Sequence, residues 1–364
     1  MKITNIRFAK LVVPLITPFK TSMRTVENIE DLVVIIETDA GEVGYGSAPS
    51  TPVITGDTHG SIIAAVELVY LPKLRGMEIE NLNGIITIIQ TSMVNNTSAK
   101  AALEIAIYDL WGKKYKAPLS KLLGGGANNL RTDITISVDQ IDKMVKDAME
   151  ALENGFDILK IKIGHNILED VERVKAIHQA VGEKALLRLD VNQGWSAKQT
   201  VYAANLFENA GIQLELIEQP VKADDFAGLK YISDRINTPI MADESAFSPT
   251  QVIELITNQC VDIINIKLMK TGGISKAITI ADIAKAYQVD CMIGCMLEGS
   301  IAVAAAAHLA VAKSTVITKI DLDGPALGRF DPVKGGVLFD NSLIKLNNLP
   351  GLGIESIDGL IKFQ

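Results

Sequence analysis

The sequence predicts an α/β protein whose main part is a parallel barrel of strands and helices. From about residue 130 onward, eight short apolar stretches alternate with helical ones. Regular strand–helix alternation over about 200 residues is typical of a parallel (β/α) barrel. The segment before residue 130 has an α+β pattern instead, and the segment after about residue 325 contains Gly and Pro but no further strand–helix unit.

The composition fits a protein with a large core and excludes several classes. The chain has 364 residues, 48% hydrophobic and 21% charged, which predicts two domains or one barrel with an attachment. A net charge of −8 argues against a nucleic-acid or anionic-membrane partner. The N-terminus lacks the apolar stretch of a secretory signal, and residues 299–312 are too few to span a bilayer. We therefore expect a soluble, cytoplasmic protein with a buried Ala-rich helix at 299–312.

The N-terminal region predicts a hairpin followed by a helix. Residues 31–38 and 42–46 are two apolar strands around a turn at 39–41. One helix face is predicted by a set of apolar residues at helical spacing. The set is Leu103, Ala106, Ile107, Leu110 and Trp111. The glycine-rich stretch 122–126 breaks this pattern and predicts a domain junction.

Charged residues recur in phase at the ends of the predicted barrel strands. The strands are 133–138, 158–163, 186–191, 214–219, 239–243, 262–267, 289–293 and 316–321. Such strands are buried on both sides and should be apolar. Six of them nevertheless carry a charge near the C-terminal end: Lys162, Asp190, Glu218, Asp243, Lys267 and Asp321. This phase places all six at one mouth of the barrel, the face where barrel enzymes carry their chemistry.

Three of these charges predict a metal site. Asp190, Glu218 and Asp243 come from three successive strands. Three carboxylates without His or Cys suit a hard cation, and Mg²⁺ is favoured because it leaves positions for water and substrate. A single strand-end charge is more simply a salt bridge, but six in phase are costly to bury without a metal or ligand.

Two lysines flank the predicted metal from opposite sides of the barrel. Lys162 lies on the second strand and Lys267 on the sixth. A lysine beside another cation can act as a base near neutral pH. Lys160 shares the face of Lys162 and, with the metal, could lower its pKa and hold a substrate carboxylate. The arrangement fits removal of an α-proton on one face and reprotonation on the other, through an enediolate stabilised by Mg²⁺.

The three cysteines are too few for a disulfide framework. Cys291 and Cys295 have the spacing of a metal or redox pair, but no histidine or third cysteine accompanies them. Buried thiols, together with Cys260, are the favoured interpretation.

The barrel motifs together resemble a known family. They are LKIKI (159–163), LDVNQG (189–194), EQP (218–220), MADES (241–245), NIKLMK (265–270) and DLD (321–323), with TSMRT (21–25) and VITGD (53–57) nearer the N-terminus. They resemble the enolase superfamily, muconate-lactonizing subgroup, and within it the dipeptide epimerases of the L-Ala-D/L-Glu type. The resemblance implies a modified (β/α)₇β TIM-like barrel (126–324) under an α+β capping domain (1–125), with 325–364 returning to the cap.

The resemblance also implies roles for individual residues. Lys162 and Lys267 would be the acid/base pair, and Asp190, Glu218 and Asp243 the Mg²⁺ ligands. The substrate-binding residues would be Arg24, Thr135, Lys160, Asn192, Cys295, Leu297, Asp321 and Asp323. Within this set, Asp321 and Asp323 would hold the free ammonium of a dipeptide, since alternate strand residues share a face. Arg24 would pair with the γ-carboxylate of a second-position Glu.

Other functions remain open at this point. An N-acylamino-acid racemase would have no ammonium to place at Asp321 and Asp323, an acid-sugar dehydratase would not need twin lysines, and a binding protein would not need opposed bases. The Asp-x-Asp pair could instead be a solvated turn, and Arg24 a solvated loop charge. The favoured function is a Mg²⁺-dependent isomerase that inverts the α-carbon of the C-terminal residue of a dipeptide such as Ala-Glu. Its family suggests a homo-oligomer.

Overall fold

The computed structural model describes residues 1–21, 25–126 and 129–363. Its centre is an eight-stranded parallel sheet whose strands lie side by side in sequence order. The strands are Ile134–Ile136, Ile158–Lys162, Leu186–Asp190, Leu214–Glu218, Ile240–Ala242, Ile263–Ile266, Asp290–Gly294 and Ile317–Asp321. Each overlaps a stretch that the sequence predicts as a strand, which confirms the barrel.

The sheet curls until its last strand meets its first. The Asp133 N–H donates to the Ile320 carbonyl at 3.4 Å, and the Leu322 N–H donates to Thr132 Oγ1 at 2.9 Å. Inside, the Arg188 guanidinium donates to both Asp133 Oδ2 and the Ile320 carbonyl. These bonds join the two edges and close the barrel.

Helices follow the first seven strands and cover the outside of the barrel. They are Ile141–Glu153, Ile167–Val181, Ala197–Asn209, Phe226–Ser233, Pro249–Thr257, Leu268–Thr271, Ile274–Ala286 and Ser300–Ala312. Two of them begin with capping boxes, at Ser196 and Ser248, which satisfy the free backbone donors of the first turn. The eighth strand leads instead into a short 3₁₀ turn, Gly324–Leu327. The (β/α)₇β expectation is therefore confirmed.

The last barrel helix is the Ala-rich segment that the sequence predicts. Ser300–Ala312 is buried on nearly every side, including His308. Among the described residues, no helix combines the length and the apolar character needed to cross a membrane.

An antiparallel sheet and a helical layer form the cap. The sheet contains Ile3–Lys20, Thr25–Thr38 and Val43–Pro49, so the predicted hairpin around residues 39–41 is present with a longer first strand. The helical layer contains His59–Ala65, the π-helical turn Val66–Tyr70, Leu71–Leu74, Leu82–Thr91, Thr97–Lys114 and Leu119–Leu122.

The helix Thr97–Lys114 connects the cap to the barrel. The predicted apolar face packs on the strand Val43–Pro49, where Gly46 allows the helix to approach closely. The rest of the helix is buried as well, because its other side packs against Leu268–Thr271 of the barrel. The sequence pattern predicts one buried face, whereas the structure buries nearly all sides of the helix.

The C-terminal segment contacts both parts of the molecule. Ile361–Lys362 adds a fourth strand to the cap sheet beside Ile3–Lys20. The hairpin of Val337–Asp340 and Leu343–Leu346 pairs with Asn129–Arg131 at the start of the barrel, and Val333–Gly335 pairs with Ile354–Ile357. The segment also contacts the cap before its end, because the Arg329 N–H donates to the Pro14 carbonyl and the Leu352 N–H donates to Asp109 Oδ1.

Candidate active site

The sheet register brings the strand-end charges together. Lys162 lies opposite Asp190, and Asp190 lies opposite Glu218, each being the last residue of its strand. Asp243 and Lys267 directly follow the fifth and sixth strands. All these side chains are buried at one end of the barrel.

A cavity lies at this end, between barrel and cap. The predicted residues that line it are Thr135, Lys160, Lys162, Asn192, Asp243, Lys267, Cys295, Leu297, Asp321 and Asp323. Asp190 and Glu218 are fully buried and contact the lysines of this lining. The cap contributes Phe19, Thr21 and Ile54. Arg24 lies outside the described residues, so the structure does not place it.

Lys162 forms an ion pair with one carboxylate of the cluster. Its ammonium donates to Asp190 Oδ2 at 2.5 Å and lies 5.8 Å from the centre of the Phe19 ring. Burial alone would raise the pKa of Asp190, but Lys162, Lys160 and Lys267 outweigh it and hold that pKa well below its usual value. Asp190 is therefore a carboxylate at neutral pH.

Lys267 approaches the cluster from the other side. It donates to Asp243 Oδ2 at 2.7 Å and lies 4.0 Å from Glu218 Oε1. Burial opposes its charge, but the Asp243 carboxylate overcomes this and raises the pKa of Lys267 well above its ordinary value. The sequence pattern predicts a lysine that can act as a base near neutral pH. In this structure the carboxylates around Lys267 dominate instead.

Lys160 lies between the carboxylates of the predicted metal site and the carboxylate of Asp321. Its Nζ is 3.1 Å from Asp190 Oδ2, 2.7 Å from Glu218 Oε2 and 2.6 Å from Asp321 Oδ2. Burial opposes the charge, yet Asp321, Glu218 and Asp190 together raise the pKa of Lys160 well above its ordinary value. Lys160 is therefore an ammonium throughout the physiological range.

The Asp321 and Asp323 pair is part of a buried acidic cluster. Asp323 Oδ2 accepts the Thr135 N–H at 2.7 Å, and both side chains are nearly inaccessible, so the solvated-turn alternative is excluded. Carboxylate oxygens of Asp133, Asp321 and Asp323 all lie within 4.8 Å of one another. Burial and the neighbouring Asp321 raise the pKa of Asp323 to about 6. Such a cluster favours a cation that can contact several carboxylates at once.

Two polar residues without an assigned role hold the cluster in place. Lys270 is fully buried, with Nζ 2.5 Å from Asp243 Oδ1 and 2.9 Å from the Asn265 carbonyl. Asn265 in turn donates from Nδ2 to Glu218 Oε1 at 2.8 Å. Strand alternation could have indicated Asn265, two residues before Lys267. Lys270 has a weaker signal, namely a charge within an otherwise apolar segment.

The loops after the third and fourth strands contain left-handed backbone. Asn192, Gln193 and Gln219 have φ of 45°, 66° and 37°. Such conformations are unfavourable for residues with a side chain and cluster at functional sites. Gln219 Oε1 accepts the N–H groups of Asp243 and Ser245, so this strained residue positions the chain around Asp243.

The cysteines are buried and free, as expected. Cys295 lines the cavity, but burial, followed by Asp323 and Asp321, raises the pKa of its thiol well above the usual value. A thiol held protonated in this way is a poor nucleophile. Cys295 therefore contributes shape to the pocket rather than covalent chemistry.

Carboxylate oxygens of the predicted metal set retain capacity to bind a cation. Among the described residues, Glu218 Oε2 and Asp243 Oδ1 accept no hydrogen bond of good geometry, although an ammonium lies near each. Burial and then Asp190 raise the pKa of Glu218 to about 8. A divalent cation would favour the ionised form of Glu218 and use these oxygens, so Asp190, Glu218 and Asp243 fit Mg²⁺.

Family models match both parts of the chain. One, described as mandelate racemase / muconate lactonizing enzyme, N-terminal domain, matches residues 3–124, and one described as enolase C-terminal domain-like matches residues 143–358. The chain therefore belongs to the mandelate racemase/muconate lactonizing enzyme family, with the enolase-type barrel that its motifs predict.

Within that family the chain is similar to dipeptide epimerases. It is 50% identical to an L-Ala-D/L-Glu epimerase of Clostridium acetobutylicum, over 98% of this chain and 100% of that protein. A substrate-liganded L-Ala-D/L-Glu epimerase from Bacillus subtilis has a TM-score of 0.96 and 45% identity, covering 99% of each chain. A dipeptide epimerase from Enterococcus faecalis, with Mg and L-Leu-L-Tyr, has a TM-score of 0.94 and 42% identity, covering 98% of this chain and 100% of that one.

Proposed function

We propose that this protein is a Mg²⁺-dependent dipeptide epimerase, an isomerase that inverts the α-carbon of the C-terminal residue of a dipeptide. One observation carries the proposal. Lys162 and Lys267 enter one carboxylate cluster from the second and sixth barrel strands, each paired with a different carboxylate. Two ammonium groups on opposite sides of one site are suited to moving a proton from one face of a carbon to the other.

The lysines perform the proton transfers. One amine, as the free base, takes the α-proton at Nζ, and the opposite ammonium donates a proton from its Nζ to the other face. The reverse reaction exchanges their roles. Because Lys162 and Lys267 pair with Asp190 and Asp243 respectively, each lysine is oriented by a separate partner.

Asp190, Glu218 and Asp243 would hold Mg²⁺, which is supported by Glu218 Oε2 and Asp243 Oδ1, buried oxygens that accept no hydrogen bond of good geometry. The bound ion would stabilise the negative charge that develops on the substrate carboxylate when the α-proton leaves. Lys160 and Asn192 lie beside this cluster and would bind the same carboxylate.

The acidic cluster at the eighth strand selects the substrate class. Asp321 and Asp323 would bind the free α-ammonium of the dipeptide, and the Asp133 carboxyl group lies close to both. An N-acylated amino acid has no charge to place there and would leave buried carboxylates uncompensated. This disfavours the N-acylamino-acid racemase alternative.

We propose Ala-Glu as the preferred dipeptide, on the similarity to L-Ala-D/L-Glu epimerases and on Arg24 as partner of the γ-carboxylate. Thr135, Cys295 and Leu297 would shape the side-chain pockets. The apolar lining of Phe19, Ile54 and Leu297 is also compatible with uncharged side chains.

A test is incubation of L-Ala-L-Glu with protein and Mg²⁺ in D₂O, followed by NMR of the α-protons. We expect deuterium at the second residue only, together with the L-Ala-D-Glu product. Exchange of other dipeptides but not this one would remove the Glu assignment. No exchange in any dipeptide would contradict the epimerase proposal.

The proposal also includes the division into a cap (1–125), a barrel (126–324) and a returning segment (325–364), and a cytoplasmic homo-oligomer. Limited proteolysis tests the boundaries. Light scattering of the purified protein tests the oligomer, and cell fractionation tests its location.

A further inference from the structure

Lys160 contacts two groups of carboxylates that would bind different cations. Its Nζ lies 3.1 Å from Asp190 Oδ2 and 2.7 Å from Glu218 Oε2, on the side of the proposed metal. The same Nζ donates to Asp321 Oδ2 at 2.6 Å, on the side of the proposed substrate ammonium. One positive charge therefore neutralises parts of both sites.

Lys160 in this position opposes the binding of both cations. A Mg²⁺ ion lies about 2.1 Å from its oxygen ligands, so an ammonium contacting the same oxygens would be strongly repelled. A substrate ammonium on Asp321 would bind a carboxylate that Lys160 already contacts, again placing like charges together. Lys160 is only 2% exposed, so it has no access to bulk water that would compensate for lost contacts.

We infer that Lys160 couples the two sites: the metal and the substrate ammonium both displace the same side chain, so binding of either one favours binding of the other. The free-energy cost of moving Lys160 arises once, whichever cation enters first. This gives a positive contribution to coupling between two cations that would otherwise repel each other. The inference rests on the proposed function and adds to it a coupling between metal binding and substrate binding.

Lys162 provides a matched control on the same strand. It also pairs with Asp190, at 2.5 Å, but among the described residues it forms no ion pair with Asp321. Removing either lysine takes a positive charge from the metal side. Only removal of Lys160 breaks the connection to the ammonium side.

The experiment measures binding rather than turnover. Wild type, K160M and K162M are freed of metal and titrated with Mg²⁺ by calorimetry at pH 7, with and without saturating L-alaninamide. This probe has the α-ammonium of a dipeptide but no carboxylate that could bind the metal. The coupling factor is the Mg²⁺ dissociation constant without the amide divided by the constant with it. Thermodynamic linkage requires Mg²⁺ to change the dissociation constant of the amide by the same factor.

We expect both variants to bind Mg²⁺ at least about tenfold more tightly than wild type, because each lacks a competing cation. We expect K162M to keep the wild-type coupling factor and K160M to lower it by about fivefold or more, within the usual range of coupling between sites. An unchanged factor in K160M, or an equal loss in K162M, would overturn the inference. So would Mg²⁺ binding without any amide binding to the wild type.

Failure of the proposed function gives a different result. If neither wild type nor variants bind Mg²⁺ at millimolar concentrations, the metal assignment itself is wrong. If K160M is too unstable for calorimetry, the rise in melting temperature caused by Mg²⁺ is measured instead of the dissociation constant, since this rise grows with affinity. A smaller shift in K160M than in wild type would then count against the inference.

Discussion

The Asp31 carboxylate of the cap accepts a hydrogen bond from the Gly299 N–H of the barrel, at 2.9 Å. Gly299 follows the loop that contains Cys295, Met296 and Leu297, all of which line the cavity. Glu298 in this loop is buried as well, and its Oε1 accepts the Met296 N–H at 3.1 Å. A buried pair of carboxyl groups therefore lies where the cap meets the wall of the active site.

The stability of this contact should depend on pH. Burial raises the pKa of Asp31 to about 7, and burial together with Asp31 raises that of Glu298 to about 8. A carboxyl group whose pKa is higher in the folded than in the unfolded state stabilises the fold at low pH. That contribution is lost as the pH rises from about 4 through 8. Asp31→Asn removes the ionisable group and keeps an oxygen that can accept the Gly299 N–H.

We therefore expect Asp31→Asn to become more stable relative to wild type as the pH rises from 5 to 8, seen as an increasing difference in unfolding free energy. The change should be on the order of a few kcal/mol. Urea unfolding at several pH values measures it. Asp39→Asn, an exposed position near the end of the same strand pair, is the control and should show no such trend. Parallel pH profiles for Asp31→Asn and wild type would contradict the prediction.

The second prediction concerns the division of work between the lysines. Lys162→Ala and Lys267→Ala should each reduce epimerisation by a factor of about 10² to 10⁴, the usual contribution of a general acid or base. Each variant should still exchange the α-proton of one epimer, because the remaining lysine contacts one face of the carbon. Exchange of L-Ala-L-Glu and L-Ala-D-Glu in D₂O, followed by NMR, measures this. Exchange of the same epimer by both variants would rule out two opposed bases.

The sequence predicts much of this site because its signal is periodic. Lys162, Asp190, Glu218, Asp243 and Lys267 recur once per strand–helix unit, and the barrel converts that period into proximity. Contacts that depend on side-chain conformation lack such a signal. Lys160 reaches carboxylates on three strands, and only the folded barrel shows which oxygens lie within reach.

Contacts between segments that are far apart in the chain cannot be predicted from the sequence pattern either. Asp31 and Gly299 are separated by 268 residues, and neither lies in a motif that indicates the other. Asp133 lacks the strand-end signal because it precedes its strand rather than ending it. The helix Thr97–Lys114 shows the same limit, since apolar periodicity identifies the face toward the cap sheet but not burial against the barrel.

The third prediction tests the ammonium site. Asp323→Asn keeps an oxygen for the Thr135 N–H but removes a negative charge. We expect its KM for L-Ala-L-Glu to rise at least about tenfold, since losing one partner of a buried charge pair costs about 2 kcal/mol or more. The wild type should not epimerise N-acetyl-L-Ala-L-Glu. The wild-type KM for the free dipeptide should rise as the pH falls through about 6, the pKa of Asp323.

Steady-state kinetics between pH 5 and pH 8 checks this prediction, and in Asp323→Asn the rise of KM at low pH should be weaker. A variant with reduced kcat and unchanged KM would place Asp323 outside the binding site. Equal activity on the acetylated and free dipeptides would do the same.

The fourth prediction concerns the joint between cap sheet and helix. A Cβ on Gly46 would lie 1.9 Å from the Ala102 carbonyl oxygen, in backbone that cannot move without shifting the helix Thr97–Lys114. That helix also packs on Leu268–Thr271, the segment directly after Lys267. Gly46→Ala should therefore lower the unfolding free energy by about 3 kcal/mol, at the upper end of the usual cost of overpacking.

Gly60→Ala is the control, because Gly60 is exposed in a helix and its Cβ would meet nothing closer than 3.9 Å. There alanine should be neutral or stabilise by up to about 1 kcal/mol. Urea unfolding of both variants measures the difference, and equal stability would show that the strand and helix can separate without cost.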